Sequence, residues 1–268
     1  MDGASLFRCE YSNQPTPIHK HSHMDYEILY VKKGEIGLSI SSHQYAIHEG
    51  ELVFISNLEE HCVDIRTDTY ERYYVIFSPL SLDHMINNPK LMSLFKNRPQ
   101  NFCHVIPAVA EAESIFAALL KESRQSDPLS AEMASCLIKE LLIILYRDHK
   151  ECFPIPDKPI QESIYQVQKY IDQNFAEDIK IKDLADKFFI NFYYLSHTFK
   201  ELTGYSPKQY LLLNRLTYSK ELLAQTSLSV GEIAMRCGLD VYKRQGSNIR
   251  CWVSGRPGLF SPCFRTSI

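Results

Sequence analysis

The sequence has few of the features that mark secreted, membrane-spanning or fibrous proteins. It contains 10 glycines and 13 prolines among 268 residues, and this low content excludes collagen-like and low-complexity architectures. No uncharged apolar run reaches the roughly 18 residues that a membrane-spanning helix needs. The segment from Met1 to Leu6 lacks the basic and apolar regions of a secretory signal, so we expect a cytoplasmic protein. The 8 cysteines form no Cys-x-x-Cys pair, which favours a reducing compartment over a disulfide framework or a zinc knuckle.

The charge is distributed unevenly along the chain. Residues 1–159 carry a net charge of −7, residues 160–239 are neutral, and residues 240–268 carry +4. Net charge alone therefore does not indicate a nucleic-acid-binding protein. The sequence also contains no glycine-rich nucleotide-binding loop and no nucleophile-elbow motif, and we expect no cofactor.

The first part of the chain has the alternation of short strands. Between residues 26 and 79, apolar residues such as Ile36, Leu38 and Ile40 alternate with small or polar ones. Turn residues recur at intervals of about 8–12 residues, which is typical of an antiparallel sandwich or barrel. The uninterrupted apolar run from Leu52 to Ile55 predicts either a strand that is buried on both faces or a short core segment.

From about residue 106 the apolar period becomes helical. A helix predicted from Ser130 to about Asp148 carries a wide apolar stripe that includes Leu141 and Leu145. Such a stripe must be covered either by the barrel or by a second subunit. We expect residues 106–150 to form a helical dimerisation segment of a homodimer.

A proline-rich stretch separates these elements from a second helical region. Three prolines fall between Phe153 and Pro159. Proline cannot continue a helix and stiffens an extended chain, so residues 151–160 are predicted to be a domain linker. Helical periodicity then resumes over residues 161–239.

Residues 181–203 have the pattern of a helix-turn-helix unit. A short helix is followed by a turn of about four residues and by a second helix that Asn191 can cap. Leu195 and Phe199 lie four residues apart and define the buried face of that helix, so another face is free to enter a DNA major groove about 12 Å wide. Any three-helix bundle has the same periodicity, so the pattern alone does not separate the two interpretations. The free face carries Tyr193, Ser196, His197 and Lys200.

The amino-acid sequence of this region resembles that of one protein family. Residues 164–239 are similar to the DNA-binding domain of the AraC/XylS family of transcription regulators, most specifically in the segment Tyr194–Tyr210, YLSHTFKELTGYSPKQY. The family carries two helix-turn-helix units joined by a long helix. The resemblance implies that Lys208 to about Ala224 is that helix, with a length of roughly 25 Å.

The resemblance also implies roles for single residues and for partners. Tyr193, Ser196 and His197 match base-facing positions, whereas Lys200 and the Asn191 cap match positions that contact phosphates. The alternative for each residue is a solvated helix face. Expected partners are double-stranded promoter DNA, RNA polymerase, a second copy of the chain and a small-molecule effector, often a carbohydrate in this family.

The end of the sequence departs from the family pattern. Residues 240–268 lack helical periodicity and contain Gly255, Pro257, Gly258 and Pro262. The expected second recognition helix is therefore missing, and we predict that the second helix-turn-helix unit is incomplete. The abrupt change in composition suggests that residues 240–268 are a non-native or frameshifted tail.

The N-terminal part contains a second set of candidate functional residues. The order His-x-His, three residues, Glu, six residues, Gly resembles the first cupin motif, and a later histidine resembles part of the second. Odd-numbered positions on one extended strand would share a face, so these side chains are predicted to converge. The set consists of His21, His23, Glu27 and His61.

Three interpretations of this set stay open. The residues could bind a transition metal, bind the hydroxyl groups of an effector, or be satisfied by hydrogen bonds inside the barrel. We predict an effector-binding role, with no metal.

The expected fold class is α+β: an N-terminal antiparallel cupin-like β-barrel with a helical pair, followed by an all-α helix-turn-helix domain. The predicted function is sequence-specific DNA binding by an AraC-type regulator that responds to a small molecule such as a sugar. One alternative is a metal-dependent cupin enzyme with an accessory helical domain, and another is a protein-interaction module. The predicted domains are a barrel (1–105), a dimerisation segment (106–150), a linker (151–160), a DNA-binding domain (161–239) and the tail (240–268).

Overall fold

The computed structural model describes residues 7–96, 98, 102–125, 127–154 and 159–239. Within these residues, nine strands form two antiparallel sheets, one with the order β1-β8-β3-β6-β9 and one with the order β2-β7-β4-β5. The strands are β1 (Phe7–Ser12), β2 (Ile18–His21), β3 (Tyr26–Lys33), β4 (Ile36–Ile40), β5 (His43–Ile47), β6 (Glu51–Ile55), β7 (His61–Ile65), β8 (Glu71–Phe77) and β9 (Val105–Pro107).

The predicted strand patterns are confirmed. Along β4, Ile36, Leu38 and Ile40 are buried and their neighbours are only half-buried. In β6, the residues from Leu52 to Ile55 are all buried, because this strand lies inside the five-stranded sheet and is covered on both faces. The side chains between the two sheets form one apolar core, which includes Leu29, Val31, Ile36, Val53 and Val63.

The helices fall into two groups. The first group packs on the outer face of the five-stranded sheet, where it buries Tyr30, Phe54, Val75 and Phe77. The second group forms the helical domain. None of the helices in the described part of the chain could span a lipid bilayer. In chain order the helices are α1 (Pro79–Met85), α2 (Pro89–Met92), α3 (Ala112–Ser123), α4 (Ser130–Asp148), α5 (Pro159–Asn174), α6 (Ile181–Lys187), α7 (Phe192–Thr203), α8 (Pro207–Gln225) and α9 (Val230–Arg236).

The apolar stripe of α4 is covered by its own barrel domain. Leu141 and Leu145 have no solvent exposure and pack in the core beneath the five-stranded sheet. The expectation that this stripe forms a dimer interface is therefore wrong for these two residues. Only the opposite side of α4 is solvent-exposed, with Met133 and Ile143 among its residues.

Particular residues in the sequence explain where helices of the helical domain begin and end. Gly204 ends α7 in a left-handed conformation with φ 78°, and Ser206 caps α8 in a capping box with Gln209. Gly238 follows the end of α9 and adopts a left-handed conformation with φ 67°. A Cβ atom at position 238 would collide with the carbonyl oxygen of Ala176, so glycine is required there.

The helical domain docks on the barrel. Met24 and Leu58 of the barrel are buried in the same apolar cluster as Leu195 and Phe199. In the predicted linker, Lys150–Cys152 forms a 3₁₀ turn, and the buried Phe153 packs edge-on against Tyr146. Barrel and helices thus share a packed boundary in addition to the covalent connection.

Candidate DNA-binding surface and ligand sites

Helix α7 presents a polar face to solvent. The Asn191 side chain accepts hydrogen bonds from the backbone N–H groups of Tyr193 and Tyr194, at 3.0 and 3.3 Å, so the predicted cap is confirmed. Leu195 and Phe199 point inward with no exposed surface. The predicted DNA-facing side chains therefore share one outward surface, formed by the exposed Tyr193, His197 and Lys200 and the half-buried Ser196.

An aromatic group beside this surface was missed by sequence reasoning. Phe189, in the turn before α7, is 97% exposed and has φ 56°. Phe192 is exposed as well and packs edge-on against Tyr193, with ring centroids 5.6 Å apart. A positive φ normally marks glycine or asparagine, so no sequence signal predicted a turn with phenylalanine at that position.

The four predicted ligand residues of the barrel do lie together, but not by the expected route. His21 ends β2 and pairs in register with His61 at the start of β7. Strand β2 stops at His21 and β3 begins at Tyr26. The expectation that one extended strand aligns His21, His23 and Glu27 is therefore wrong, because His23 comes into place through the connecting turn.

The distances within this histidine cluster are short. One nitrogen from each of His21, His23 and His61 lies within 4.8 Å of the others. The Glu27 carboxylate lies 3.4 Å from Nε2 of His23 and 4.0 Å from Nε2 of His61. His61 is buried, whereas His21 is exposed at the rim.

Charge and burial act against each other in the cluster. Burial lowers the pKa of His61 below its usual range, although Glu27 opposes this. Burial also disfavours the charged form of His23, but the neighbouring Glu27 outweighs it and raises the pKa of His23. Burial disfavours the Glu27 carboxylate too, yet His23 and His61 lower its pKa.

A buried ionic network, which the sequence did not predict, joins barrel and helical domain. The Lys96 ammonium has no solvent exposure and lies 3.1 Å from Asp83 and 3.2 Å from Asp172 of α5. The Tyr210 hydroxyl of α8 donates to Asp172 at 2.7 Å. It accepts from Asn57 of the barrel at 3.0 Å.

A cavity of about 480 Å³ lies between the two domains, next to this network. Its barrel side includes Ser42 and Arg98, and its helical side includes the end of α7 with Thr203 and the following Tyr205. The apolar part of the cavity wall consists of Phe95, Phe102 and Leu202. None of the four residues of the histidine cluster lines this cavity.

The polar wall of the cavity is an ordered chain of side chains. The Arg98 guanidinium contacts the Glu59 carboxylate, and His104 Nε2 lies 3.1 Å from the same carboxylate. Behind the wall, the Tyr45 hydroxyl lies 2.8 Å from His104 Nδ1. Burial opposes ionisation of Glu59, but Arg98 and His104 lower its pKa to about 2. The wall therefore contains a buried, neutralised acid–base pair and a set of hydrogen-bonding groups.

Two family models match this architecture. The model of the AraC-like ligand binding domain matches residues 6–141. A helix-turn-helix domain model matches residues 184–247. The chain belongs to the AraC family of transcription regulators. The expected α+β fold, a cupin-like barrel followed by helix-turn-helix helices, is confirmed.

Related proteins agree with the AraC assignment. An uncharacterised transcription regulator YfiF from Bacillus subtilis is 26% identical over 94% of this chain and 81% of its own length. The transcriptional activator RhaR from Yersinia pestis is 25% identical over 82% of this chain and 77% of its own. Among solved structures, ToxT from Vibrio cholerae with a bound unsaturated fatty acid has a TM-score of 0.56 at 15% identity, covering 87% of this chain and 86% of that one.

These relationships favour a regulator over the alternative of a cupin enzyme. The protein is an AraC-type DNA-binding transcription regulator with a ligand-binding domain. The helix-turn-helix model extends to residue 247. Residues 240–268 lie outside the described part of the chain, so their assignment as a non-native or frameshifted tail stays a prediction.

Proposed function

We propose that this AraC-family regulator reads promoter DNA with the outward face of α7, and that a small molecule in the interdomain cavity controls this reading. The observation that carries the proposal is the position of α7. Its exposed polar face begins at Tyr193, and its last turn, at Thr203, lines the cavity. A ligand in the cavity would therefore contact the helix that is proposed to contact DNA.

The effector class follows from the lining. Ser42, His43 and Tyr205 supply hydrogen-bonding groups for a carboxylate or for hydroxyls, and the phenylalanines supply apolar contact. We propose either a carboxylic acid with an apolar chain or a carbohydrate. The fatty acid held by ToxT supports the first class, since it shows that a protein of this fold accommodates such a ligand.

The direction of control is inferred from the relatives. RhaR is named an activator, and on that basis we infer that this chain activates transcription with RNA polymerase as its protein partner. The predicted homodimer is also retained as a proposal. The effector role predicted for His21, His23, Glu27 and His61 is not retained, because those residues lie apart from the cavity.

DNA binding is tested by fluorescence anisotropy on a duplex from the region upstream of the gene. A base contact is worth about 1–3 kcal/mol, so His197→Ala should weaken binding to that duplex by about 5- to 150-fold. It should leave binding to random DNA nearly unchanged. Lys200→Ala, by loss of one phosphate contact, should weaken binding to both and reduce the salt slope by about 1.

The matched control is His48→Ala. Like His197, His48 is exposed and lies near a glutamate, 3.6 Å from Glu35, but it lies on the barrel. If the intact chain shows no preference for the upstream duplex, or if His48→Ala weakens binding as much as His197→Ala, the proposed role of α7 is wrong.

A further inference from the structure

We propose that His21, His23, His61 and Glu27 bind a divalent transition-metal ion, through three imidazole Nε2 atoms and one carboxylate oxygen. The site would give the regulator a second input, separate from the interdomain cavity. The metal site stands on its own geometry, whereas its regulatory consequence rests on the proposed function.

The hydrogen bonds of the three imidazole rings orient them for metal binding. Nδ1 of His21 lies 2.9 Å from the carbonyl oxygen of His19. Nδ1 of His23 and of His61 each lie 2.9 Å from a carbonyl oxygen, those of Asp25 and Glu59. A carbonyl only accepts hydrogen bonds, so the proton of each ring is on Nδ1 and each neutral ring has a lone pair on Nε2. Backbone carbonyls that fix the tautomer in this way are typical partners of metal-bound histidines.

When all three rings are neutral, the convergent atoms lack a proton donor of their own. Three Nε2 lone pairs and an anionic carboxylate meet in one place, and like partial charges at this range repel one another. Nε2 of His23 is buried, and beyond its 3.4 Å approach to Glu27 it has no hydrogen-bond partner among the described residues. A bound cation would satisfy all four groups together.

The spacing and the ligand types select the class of ion. Metal–nitrogen distances near 2.0–2.1 Å place two imidazole ligands about 3.3 Å apart. One nitrogen from each ring lies within 4.8 Å of the others, so the nitrogens would have to approach one another by at most about 1.5 Å to complete the site. Three nitrogens and one oxygen suit zinc, cobalt or nickel rather than calcium or magnesium, which prefer oxygen ligands.

The turn that carries His23 also contacts the DNA-binding domain. The next residue, Met24, donates its backbone N–H to the Glu221 carboxylate of α8 at 3.1 Å. Its side chain is buried in the core of the helical domain. The His23 carbonyl accepts from the Leu58 backbone N–H at 2.9 Å. A metal ion that fixes His23 would therefore brace the contact between the barrel and α8.

The metal site is tested by titration of the metal-free full-length chain with Zn²⁺ in a calorimeter, and with Co²⁺ by absorption spectroscopy. One ion per chain and a Co²⁺ ligand-field band are expected. Even the loss of a residue behind a metal ligand costs about 10- to 100-fold in affinity, so His21→Ala should lose at least that much. His21 is exposed, so this variant should fold, and His61→Gln provides a second variant at the buried ligand.

The control is His48→Ala, which removes an exposed histidine of the barrel away from the cluster. Equal Zn²⁺ affinity in the parent chain and in both cluster variants would overturn the site. Sub-stoichiometric binding, or binding that His48→Ala abolishes, would also overturn it.

The regulatory step has its own measurement. Zn²⁺ should slow amide hydrogen exchange in residues 22–25 and in α8 of the parent chain. In Glu221→Leu, which removes the acceptor for the Met24 N–H group, Zn²⁺ should still bind but protection of α8 should be lost. Binding of Zn²⁺ without protection of α8 would overturn the coupling and leave the metal site standing. A chain that binds Zn²⁺ but prefers no DNA would overturn the proposed function alone.

Discussion

At the scale of single residues, Lys96 shows how one buried charge connects two domains. Its ammonium lies between two carboxylates and 5.5 Å from the ring centroids of both Tyr26 and Tyr165. Burial raises the pKa of Asp172, although Lys96 opposes this. Two acids facing one base are tolerated because hydroxyl and amide donors satisfy the remaining carboxylate oxygens, as Tyr210 does for Asp172.

Replacement of Lys96 by methionine should be strongly destabilising. Two carboxylates would then face each other in the interior, and removal of one partner of a buried pair costs about 3–5 kcal/mol. The loss should be largest at neutral pH. The raised pKa of Asp172 would rise further without Lys96, so acidification would protonate the folded state before the unfolded one and reduce the loss.

Urea unfolding from pH 7 down to pH 5 measures this effect. Lys90→Met is the control, because Lys90 is exposed in α2 and the substitution is the same. A stability loss equal to that of Lys90→Met, or a loss that does not change with pH, would mean that Lys96 does not neutralise the two acids.

At the scale of secondary structure, the predictable features were those that depend on local sequence, such as apolar periodicity and helix caps. The alternation of Ile36, Leu38 and Ile40 predicted β4, and the Asn191 cap with the inward Leu195 predicted α7. The position of His23 was not predictable, because a turn and not a strand carries it. Lys96 gave no local signal at all, since its partners lie 13 and 76 positions away in the chain.

The exposed face of helix α4 is the candidate interface for the predicted homodimer. Its inner stripe is occupied, but Leu129 before the helix and Met133 and Ile143 on its outer face are 68%, 51% and 38% exposed. The charged Glu132 and Arg147 lie near opposite ends of that face. An antiparallel second copy would bring these opposite charges together twice, as a two-fold interface requires.

The double variant Met133→Glu, Ile143→Glu should therefore shift the chain from dimer to monomer in sedimentation velocity. Burial of two carboxylates in an apolar interface is unfavourable, and the fold should survive because both sites are on the surface. Leu212→Glu on the exposed side of α8 is the matched control. A parent chain that is already monomeric, or a double variant that remains dimeric, would exclude this face.

At the scale of the whole molecule, the barrel and the helical domain form one packed body. Met24 and Leu58 enter the helical core, and Asn57 reaches Tyr210. From the sequence alone, the prolines indicated a linker between separate domains. Interfacial polar residues such as Asn57 and Gln168 are typical of surfaces, so their burial between the domains could not be predicted. The cavity at this boundary is formed by both domains, so it could not be predicted from local sequence either.

Closure of that cavity should separate effector binding from folding. Ser42 lines the cavity from an exposed turn between β4 and β5, so Ser42→Trp should fill its mouth and leave the barrel intact.

Thermal unfolding is followed with oleate, palmitoleate and a set of monosaccharides. A ligand at about 100 times its dissociation constant stabilises the fold by about 2.7 kcal/mol. At least one compound should therefore raise the Tm of the parent chain by several degrees, and Ser42→Trp should abolish the shift. Asn13→Trp, at an exposed position of the barrel, should retain it. If no compound stabilises the parent chain, the two proposed effector classes are wrong. If the shift persists in Ser42→Trp, the effector does not occupy this cavity, because a ligand held between the domains cannot bind where the indole ring already stands.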